Sequence, residues 1–498
     1  MKRLIIAAML ASVVLPQPGL ARTKPVKVEL PLPPTPAGAA PQTAVTAPIA
    51  PQSGPAQTVH VGTAAADRWW TAFASPAIND LVDQALVANA DLGAAQAALR
   101  QAHDLAGAAR GALFPQLDAG YQVERQRISQ TLSSPLLDPN PTVFSVHTAQ
   151  VSVSYALDLF GANRAHFASA AAQARVAAAQ ADGVRNLVSA NVVLAVIQNA
   201  ALQAQAEDAQ TAIDSNRAVL TMLRRREALG AVGKADVAAQ EAALAAAEGA
   251  LPPLERARRT NLAALAVLLG LAPGAALPKL PALDEIALPT DLPLVLPSDL
   301  VAQRPDVAAA AAGMEGAGAD LKAAIAARLP SITLSASTGG AARDFSDMFR
   351  DGNPFWSLLG GLTAPLFHGG TLRKQQRASQ DALEAATARY RGVALQAFAD
   401  VSNALTALST DADALDAASR GDTAAQASLG FVKRQLELGS VGTLAVLNAA
   451  AAAQQARIQY VQARSARLTD TVGMFVALGG GQLGLAGKAP AAAPEKRP

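Results

Sequence analysis

Asp236 stands six residues after Gly230, in a turn whose basic groups are Arg224, Arg225, Arg226 and Lys234. A carboxylate in the first turn of a helix is favoured by the helix dipole. Paired with Lys234 or with Arg225 of a neighbouring turn, it would form an exposed contact worth about 0–1 kcal/mol, able to hold and to release. Other chemistry finds little support. His147, His166 and His368 are scattered without a spaced acidic or histidine partner, so no metal site is expected. No GxxxxGK loop occurs to hold a nucleotide phosphate, and no GxSxG elbow marks a serine nucleophile. The absence of cysteine excludes disulfides, thiolate catalysis and cysteine metal sites. The expectation is no enzyme and no cofactor, and a net charge of +2 over 498 residues gives no case for nucleic acid.

The turn that carries Asp236 is written twice. LRRREALGAVGKADVAAQ, from Leu223, returns as FVKRQLELGSVGTLAVLNAA from Phe431. Placing Gly230 on Gly439 puts Arg225 over Arg434, Leu229 over Leu438 and Gly233 over Gly442. A period of about 209 residues is that of a duplicated structural unit, not of a solenoid module. Arginines in a last helical turn suit its C-terminal dipole, and the glycines are needed to turn the chain.

These turns need long elements to carry them. The composition is 51% hydrophobic but only 4% aromatic, with alanine dominant, which favours long helices in close contact. Residues 163–229 contain no proline and space their apolar residues by three and four, as at Leu187, Val188, Val192, Leu194 and Ile197. They predict one helix roughly 100 Å long, and 371–438 predicts its counterpart. Shorter helices are expected over 76–111, 234–270, 298–329 and 443–479, so that two stacked short helices match one long one.

Other stretches have a period of two. In 148–158, Ala149, Val151, Val153, Tyr155 and Leu157 alternate with Thr148, Gln150, Ser152 and Ser154; in 331–338, Ile332, Leu334 and Ala336 alternate with serine and threonine. Both predict strands with one apolar and one polar face, and 116–126 and 355–367 complete two pairs. Tyr121, Phe144, Tyr155, Phe160, Phe355, Trp356 and Phe367 cluster there, as an interfacial girdle requires. Four strands close no barrel alone, whereas three copies give about twelve, within the outer-membrane range.

The ends set the compartment. Lys2-Arg3, the apolar run from Leu4 to Leu15 and Gly19-Leu20-Ala21 read as a signal peptide over 1–21, and no lipid anchor is expected without a cysteine at the cleavage point. Residues 22–66 read as a Pro/Ala-rich linker and 482–498 as a disordered tail. Beyond the signal, no apolar run reaches the ~18 residues of a membrane-spanning helix. The organisation expected is a first repeat over 67–275, a proline-rich connector over 276–297 and a second repeat over 298–481.

In this order of elements the chain resembles the outer-membrane factors, the TolC-like exit ducts of tripartite efflux pumps and type I secretion systems. The resemblance rests on LFPQLDAGYQ at Leu113 answered by RLPSITLSAS at Arg328, and on DLFG at Asp158 answered by PLFHGG at Pro365. It rests also on LVAQRPDV at Leu300, similar to the family's leucine-x-x-arginine-proline-aspartate signature. It implies a homotrimeric outer-membrane barrel of twelve strands, continued by a periplasmic helical tunnel and served by a periplasmic adaptor and an inner-membrane transporter. The branch it resembles most is the NodT type serving RND drug efflux pumps.

The same resemblance implies that the two glycine turns are hairpin tips, where such channels close and meet the adaptor. Arg225, Gly230, Gly233, Arg434, Gly439 and Gly442 are then the adaptor-contact residues. The family often carries aspartates six and nine residues beyond the second turn's glycine. This chain has Ala445 and Asn448 there, and only the first hairpin keeps an acid, Asp236. The gate positions are therefore Asp236, Ala445 and Asn448, without an anionic ring from the second hairpin. Two alternatives are a type I secretion duct for polypeptides and a non-conducting periplasmic coiled-coil scaffold. Arg304-Pro305-Asp306 reads as architecture, with proline at an early helical position and aspartate in the first turn.

Overall fold

The computed structural model describes residues 44–45, 56–61, 66–127, 129, 143–294 and 303–481. The expectations for 1–21, for most of the linker, for 295–302 including the end of the connector and Leu300, and for 482–498 fall outside them. In chain order the elements are β1 (Ala44–Val45), β2 (Thr58–Val61), α1 (Pro76–Ala88), α2 (Ala90–Gly111), β3 (Gln116–Arg127), β4 (Val143–Leu157), α3 (Ala162–Ala228) and α4 (Lys234–Leu268). Then follow β5 (Asp291–Leu294), α5 (Pro305–Ala326), β6 (Ser331–Ala342), β7 (Pro354–Thr363), α6 (Thr371–Glu437) and α7 (Thr443–Ala477).

The duplication is metrical. α3 and α6 each have 67 residues, α4 and α7 each 35, and α2 and α5 each 22. At 1.5 Å per residue the long helices span roughly 100 Å. Left-handed glycines mark corresponding corners: Gly161 with Gly370 before the long helices, Gly230 with Gly439 at the turns, and Gly270 with Gly479 after the short ones. α3 packs against α4 and against α2 and α5, while α6 packs against α7 and α5.

Between the helical pairs lies one antiparallel sheet in the order β3-β4-β6-β7. Its register aligns Leu117 with Val153, Val153 with Ala336 and Ala336 with Leu358, and likewise Tyr155 with Leu334 and Ile332 with Leu362. Cross-strand partners share a face, so one apolar surface runs unbroken over four strands. Leu117, Val151, Val153, Leu334, Trp356, Leu358 and Leu362 are all exposed on it. The opposite face aligns Asp118 with Ser152, Ser152 with Ser337 and Ser337 with Ser357, the last two hydroxyls 2.8 Å apart.

The densest core joins the N-terminal segment to the helices. Trp69, Trp70 and Phe73 are buried with Ile78 and Leu81 of α1, Val192 and Ile197 of α3, Leu265 of α4, Leu408 of α6 and Val472 of α7. The Trp69 ring stacks on Phe475 with centroids 5.3 Å apart.

Some expectations need correction. Residues 76–111 form two helices because Asn89 is extended; its Oδ1 accepts from Leu92 N at 3.0 Å and its amide donates to Leu268 O at 3.0 Å, capping α2 and tying it to α4. β7 stops at Thr363, short of 367, where Pro365 and the positive-φ pair Gly369 and Gly370 turn the chain into α6. The aromatic girdle is partial: Phe160 and Phe367 lie outside the strands, and Phe144 and Phe355 align with Gln126 and Gly339 on the polar face. Within the stretch read as a linker, β2 pairs in parallel with β5, and His60 bonds Asp291 at 2.9 Å. One 18-residue window of α3 does reach the hydropathy of a spanning helix, 1.5, but 67% of it is buried by neighbouring elements, as in a core helix.

Candidate functional site

The two glycine turns are built alike. Gly230 (φ 70°) and Gly439 (φ 72°) adopt the left-handed conformation that L side chains disfavour. Ala231 N donates to Arg226 O at 2.8 Å and Ser440 N to Gln435 O at 2.9 Å, closing each helix end in the same way. Gly233 and Gly442 are extended and open α4 and α7. Just before each turn glycine stands a solvent-facing leucine, Leu229 at 83% and Leu438 at 77% exposure. The repeat alignment contained this pair, but its reading stressed the arginines and glycines.

Asp236 is the third residue of α4, and its Oδ2 accepts from Gly233 N at 3.3 Å. Among the described residues no ion pair joins it to Lys234 or Arg225; the cation that is paired is Arg224, 2.7 Å from Glu241 across the same hairpin. Arg225 and Arg434 are exposed. Ala445 is half-buried in the first turn of α7, and Asn448 faces solvent.

Above the tips the two hairpins are linked. Arg457 of α7 reaches Asp208 of α3, Nε to Oδ2 at 3.0 Å, and Asp422 of α6, Nη1 to Oδ2 at 3.4 Å. Its guanidinium lies 5.4 Å from the centre of the Tyr460 ring. Burial alone would weaken its proton affinity, but the two carboxylates prevail and raise it. Towards the tips a cleft of about 210 Å³ opens between the hairpins, lined by Ser215, Asn216, Gln426, Lys433 and Gln454. Lys433 Nζ bridges it weakly, 3.4 Å from Ser215 Oγ.

The sequence motifs resolve into anchors. Arg304 forks onto Asp306, with Nε–Oδ1 3.0 Å and Nη2–Oδ2 2.8 Å, and also donates to Ala477 O at 2.8 Å and Asp400 Oδ2 at 2.9 Å. Burial pushes the Asp306 carboxyl up, yet Arg304 outweighs it and holds it below its usual range. Asp158 of DLFG accepts from the amides of Asn163 at 3.1 Å and Arg164 at 2.9 Å, capping α3. His147 is hydrogen-bonded to the Tyr121 hydroxyl at 2.7 Å.

Sequence reading missed a buried polar group between α6 and α7. Arg467 is 1% exposed, and its three guanidinium nitrogens have no hydrogen-bond partner among the described residues. Beside it, Asp411 is pushed up to about 7 by burial and by a hydrogen bond to, and the charge of, Asp470, with Arg467 opposing. These positions were assigned only to the helices expected over 371–438 and 443–479.

This geometry can be set beside known proteins. Residues 81–271 and 296–480 match the family model described as "Outer membrane efflux protein". The pyoverdine export outer membrane protein OpmQ of Pseudomonas putida is 32% identical over 419 residues, covering 83% of this chain and 88% of the relative. The toluene efflux pump outer membrane protein TtgF of Pseudomonas putida is 30% identical, covering 83% and 85%. Among solved structures, the outer-membrane channel OprN superposes with a TM-score of 0.78 at 25% identity, over 83% of this chain and 92% of OprN. The open-state MtrE outer membrane channel of Neisseria gonorrhoeae does so at 0.76 and 27%, over 84% and 92%. The chain belongs to the outer membrane efflux protein family. It is a transport protein of the outer membrane, an exit duct in which a share of a β-barrel is continued by a long helical tunnel.

Proposed function

We propose that three copies of this outer membrane efflux protein close a barrel of about twelve strands and form the passive exit of a tripartite pump. An inner-membrane transporter of the RND type supplies the cargo and the energy, and a periplasmic adaptor connects the two. The observation that carries the reading is the register of the sheet. Its face of Leu117, Val153, Leu334 and Leu358 suits lipid, and its face of Asp118, Ser152, Ser337 and Ser357 suits a wet lumen. β3 and β7 each pair on one side only among the described residues, so both edges await neighbours. Relatives named for pyoverdine export and toluene efflux support small molecules as cargo rather than polypeptides.

Conduction is gated diffusion. Three chains bring six hairpins to the periplasmic end, and adaptor binding favours the splayed set over the closed one. Arg225, Gly230, Gly233, Arg434, Gly439 and Gly442 form the adaptor-facing tips, with exposed Leu229 and Leu438 as their apolar points. Asp236, Ala445 and Asn448 occupy the constriction, where the first hairpin supplies its carboxylate. Single-channel recording in planar bilayers tests both levels. Wild-type protein inserting with a low-conductance closed state, and Asp236→Ala opening more often, is the expected result. Insertion with unchanged gating in Asp236→Ala removes that residue from the gate, and well-folded protein that never inserts removes the duct.

A further inference from the structure

We infer that Arg125 and Arg127 form a binding site for the phosphorylated glycolipid of the outer leaflet, one site on each protomer at the end of the barrel away from the helices. The inference rests on the duct reading, from which it takes the lipid-facing side of the sheet, and adds the lipid that this side selects.

The register fixes which way the two arginines face. Arg125 aligns with Ser145 and Arg127 with Val143, in the same alternation that aligns Leu117 with Val153 and Tyr121 with Ala149. Both therefore stand on the apolar, lipid-facing side, and both are exposed. β3 leaves α2 at Gln116 and ends at Arg127, so the pair lies at the end of the strand away from the helices. Side chains keep their face when β3 finds a neighbour at its free edge, so closing the barrel does not turn them inward.

Height follows from the same register. From Leu157 to His147 the outward residues of β4 run roughly 34 Å along the strand. At a barrel tilt of about 40° this is roughly 25 Å of height, the thickness of an outer-membrane apolar band. An aromatic platform marks its upper end. Tyr121 stacks on His147 with ring centroids 6.2 Å apart, Phe345 meets both rings edge-on, and Trp356 is exposed on the same face. Such rings sit at headgroup level. Only Val123 separates Tyr121 from Arg125 on this side, so the arginines stand where the band ends and the cost of an outward charge falls away.

Charge decides the ligand. The carboxylates of the four strands, Asp118 and Glu124, both lie on the lumen face, so the charges that the strands place outward are cationic. The β6–β7 loop brings Asp344, Asp347 and Asp351 with Arg343 and Arg350, and Asp347 is paired with Arg350 at 3.2 Å. Among the described residues neither Arg125 nor Arg127 has an ion-pair partner. Next-but-one neighbours on one strand stand about 7 Å apart, close enough for two guanidinium forks to grip one phosphate. The helices mark the periplasmic side, so this rim meets the outer leaflet, whose glycolipid carries phosphates on its diglucosamine head.

The thermal midpoint of the detergent-purified protein, titrated with diphosphoryl lipid A, tests the site, because a ligand of the native state raises the midpoint with its concentration. Wild-type protein should gain several degrees, and lipid A stripped of both phosphates should give little. Arg125→Gln with Arg127→Gln should lose most of the gain while the midpoint without lipid stays near wild type. Arg125→Lys with Arg127→Lys should keep most of it. Arg343→Gln removes a cation of the same rim that lies over the Phe144 ring, 5.5 Å from its centre, and should respond as wild type does. Equal gains from the two forms of lipid A on wild-type protein would overturn the site without any variant. So would a double glutamine variant that gains as much as wild type, or an equal gain from phosphatidylglycerol, which would make any anionic lipid sufficient. These outcomes leave the duct intact, whereas wild-type protein that never inserts into planar bilayers would remove the lipid face and the site with it.

Discussion

Arg304 Nη2 lies 2.9 Å from Asp400 Oδ2, joining the residue that precedes α5 to the long helix α6. With its second fork on Asp306 and its bond to Ala477 O, this guanidinium fastens three helices of the second repeat at one point. Its side chain is 10% exposed, so the bonds work in a partly desolvated setting.

Replacing Arg304 by alanine should therefore destabilise the chain by about 2–4 kcal/mol, the range for losing charged hydrogen bonds while two carboxylates stay partly buried. Arg304→Lys keeps the charge but loses the planar fork, and should fall between the two. Thermal unfolding of the purified variants measures both. An alanine variant as stable as wild type would remove the residue from the architecture.

The register predicts opposite outcomes at adjacent positions of β7. Leu358 shares its face with Val153 and Ala336, Ser357 its face with Ser337 and Ser152. An arginine at 358 meets lipid and should cost about 2–4 kcal/mol near the membrane midplane. An arginine at 357 meets the lumen, so assembly should persist while conductance changes. Folding yield into lipid vesicles separates the two, and equal yields would contradict the assignment of the faces.

The lumen face should also favour cations. Within the strands its charged residues are Asp118 and Glu124 of β3, aligned with Ser152 and Val146 of β4. They are six residues apart, roughly 20 Å along the strand, which gives two rings of three carboxylates in a trimer. The screening length is about 10 Å at 0.1 M salt and about 3 Å at 1 M. Preference for K⁺ over Cl⁻ should therefore be clear at low salt and fade at high salt. Reversal potentials of wild type and the Asp118→Asn, Glu124→Gln double variant check this, the variant moving towards no preference. An unchanged ratio would place selectivity in the helical tunnel.

The fold was legible where one periodicity acted alone. Alternation over 148–158 found β4 because each of its faces meets a single environment, and the proline-free runs found α3 and α6 to within a residue or two. Asn89 was missed because alanine-rich sequence continues on both sides of it, although an asparagine ahead of Ala90-Asp91 is itself a capping signal. β2 and β5 were missed because both lie in proline-rich sequence, and β5 contains Pro293, so neither shows a strand's usual composition. For the candidate site, the glycine turns were visible through duplication. Arg457, Asp208 and Asp422 were not, since they come together only when three helices pack and have no common spacing in the chain.

The Asp411 and Asp470 pair beside Arg467 makes stability depend on pH with a definite sign. The folded carboxyl of Asp411 is pushed up to about 7 against an ordinary 3.8, so the fold holds a proton that the unfolded chain has already lost between those values. Stability from this group is therefore full below about 4, falls as pH rises, and is gone above about 7. Carboxyls held low, such as Asp306, act the other way and matter only as pH falls through their range. Asparagine at 411 imitates the protonated acid and cannot lose its proton. The thermal midpoint of Asp411→Asn, relative to wild type, should rise steadily from pH 4.5 to pH 8. A difference that stays constant across that range would mean that Asp411 does not titrate between α6 and α7.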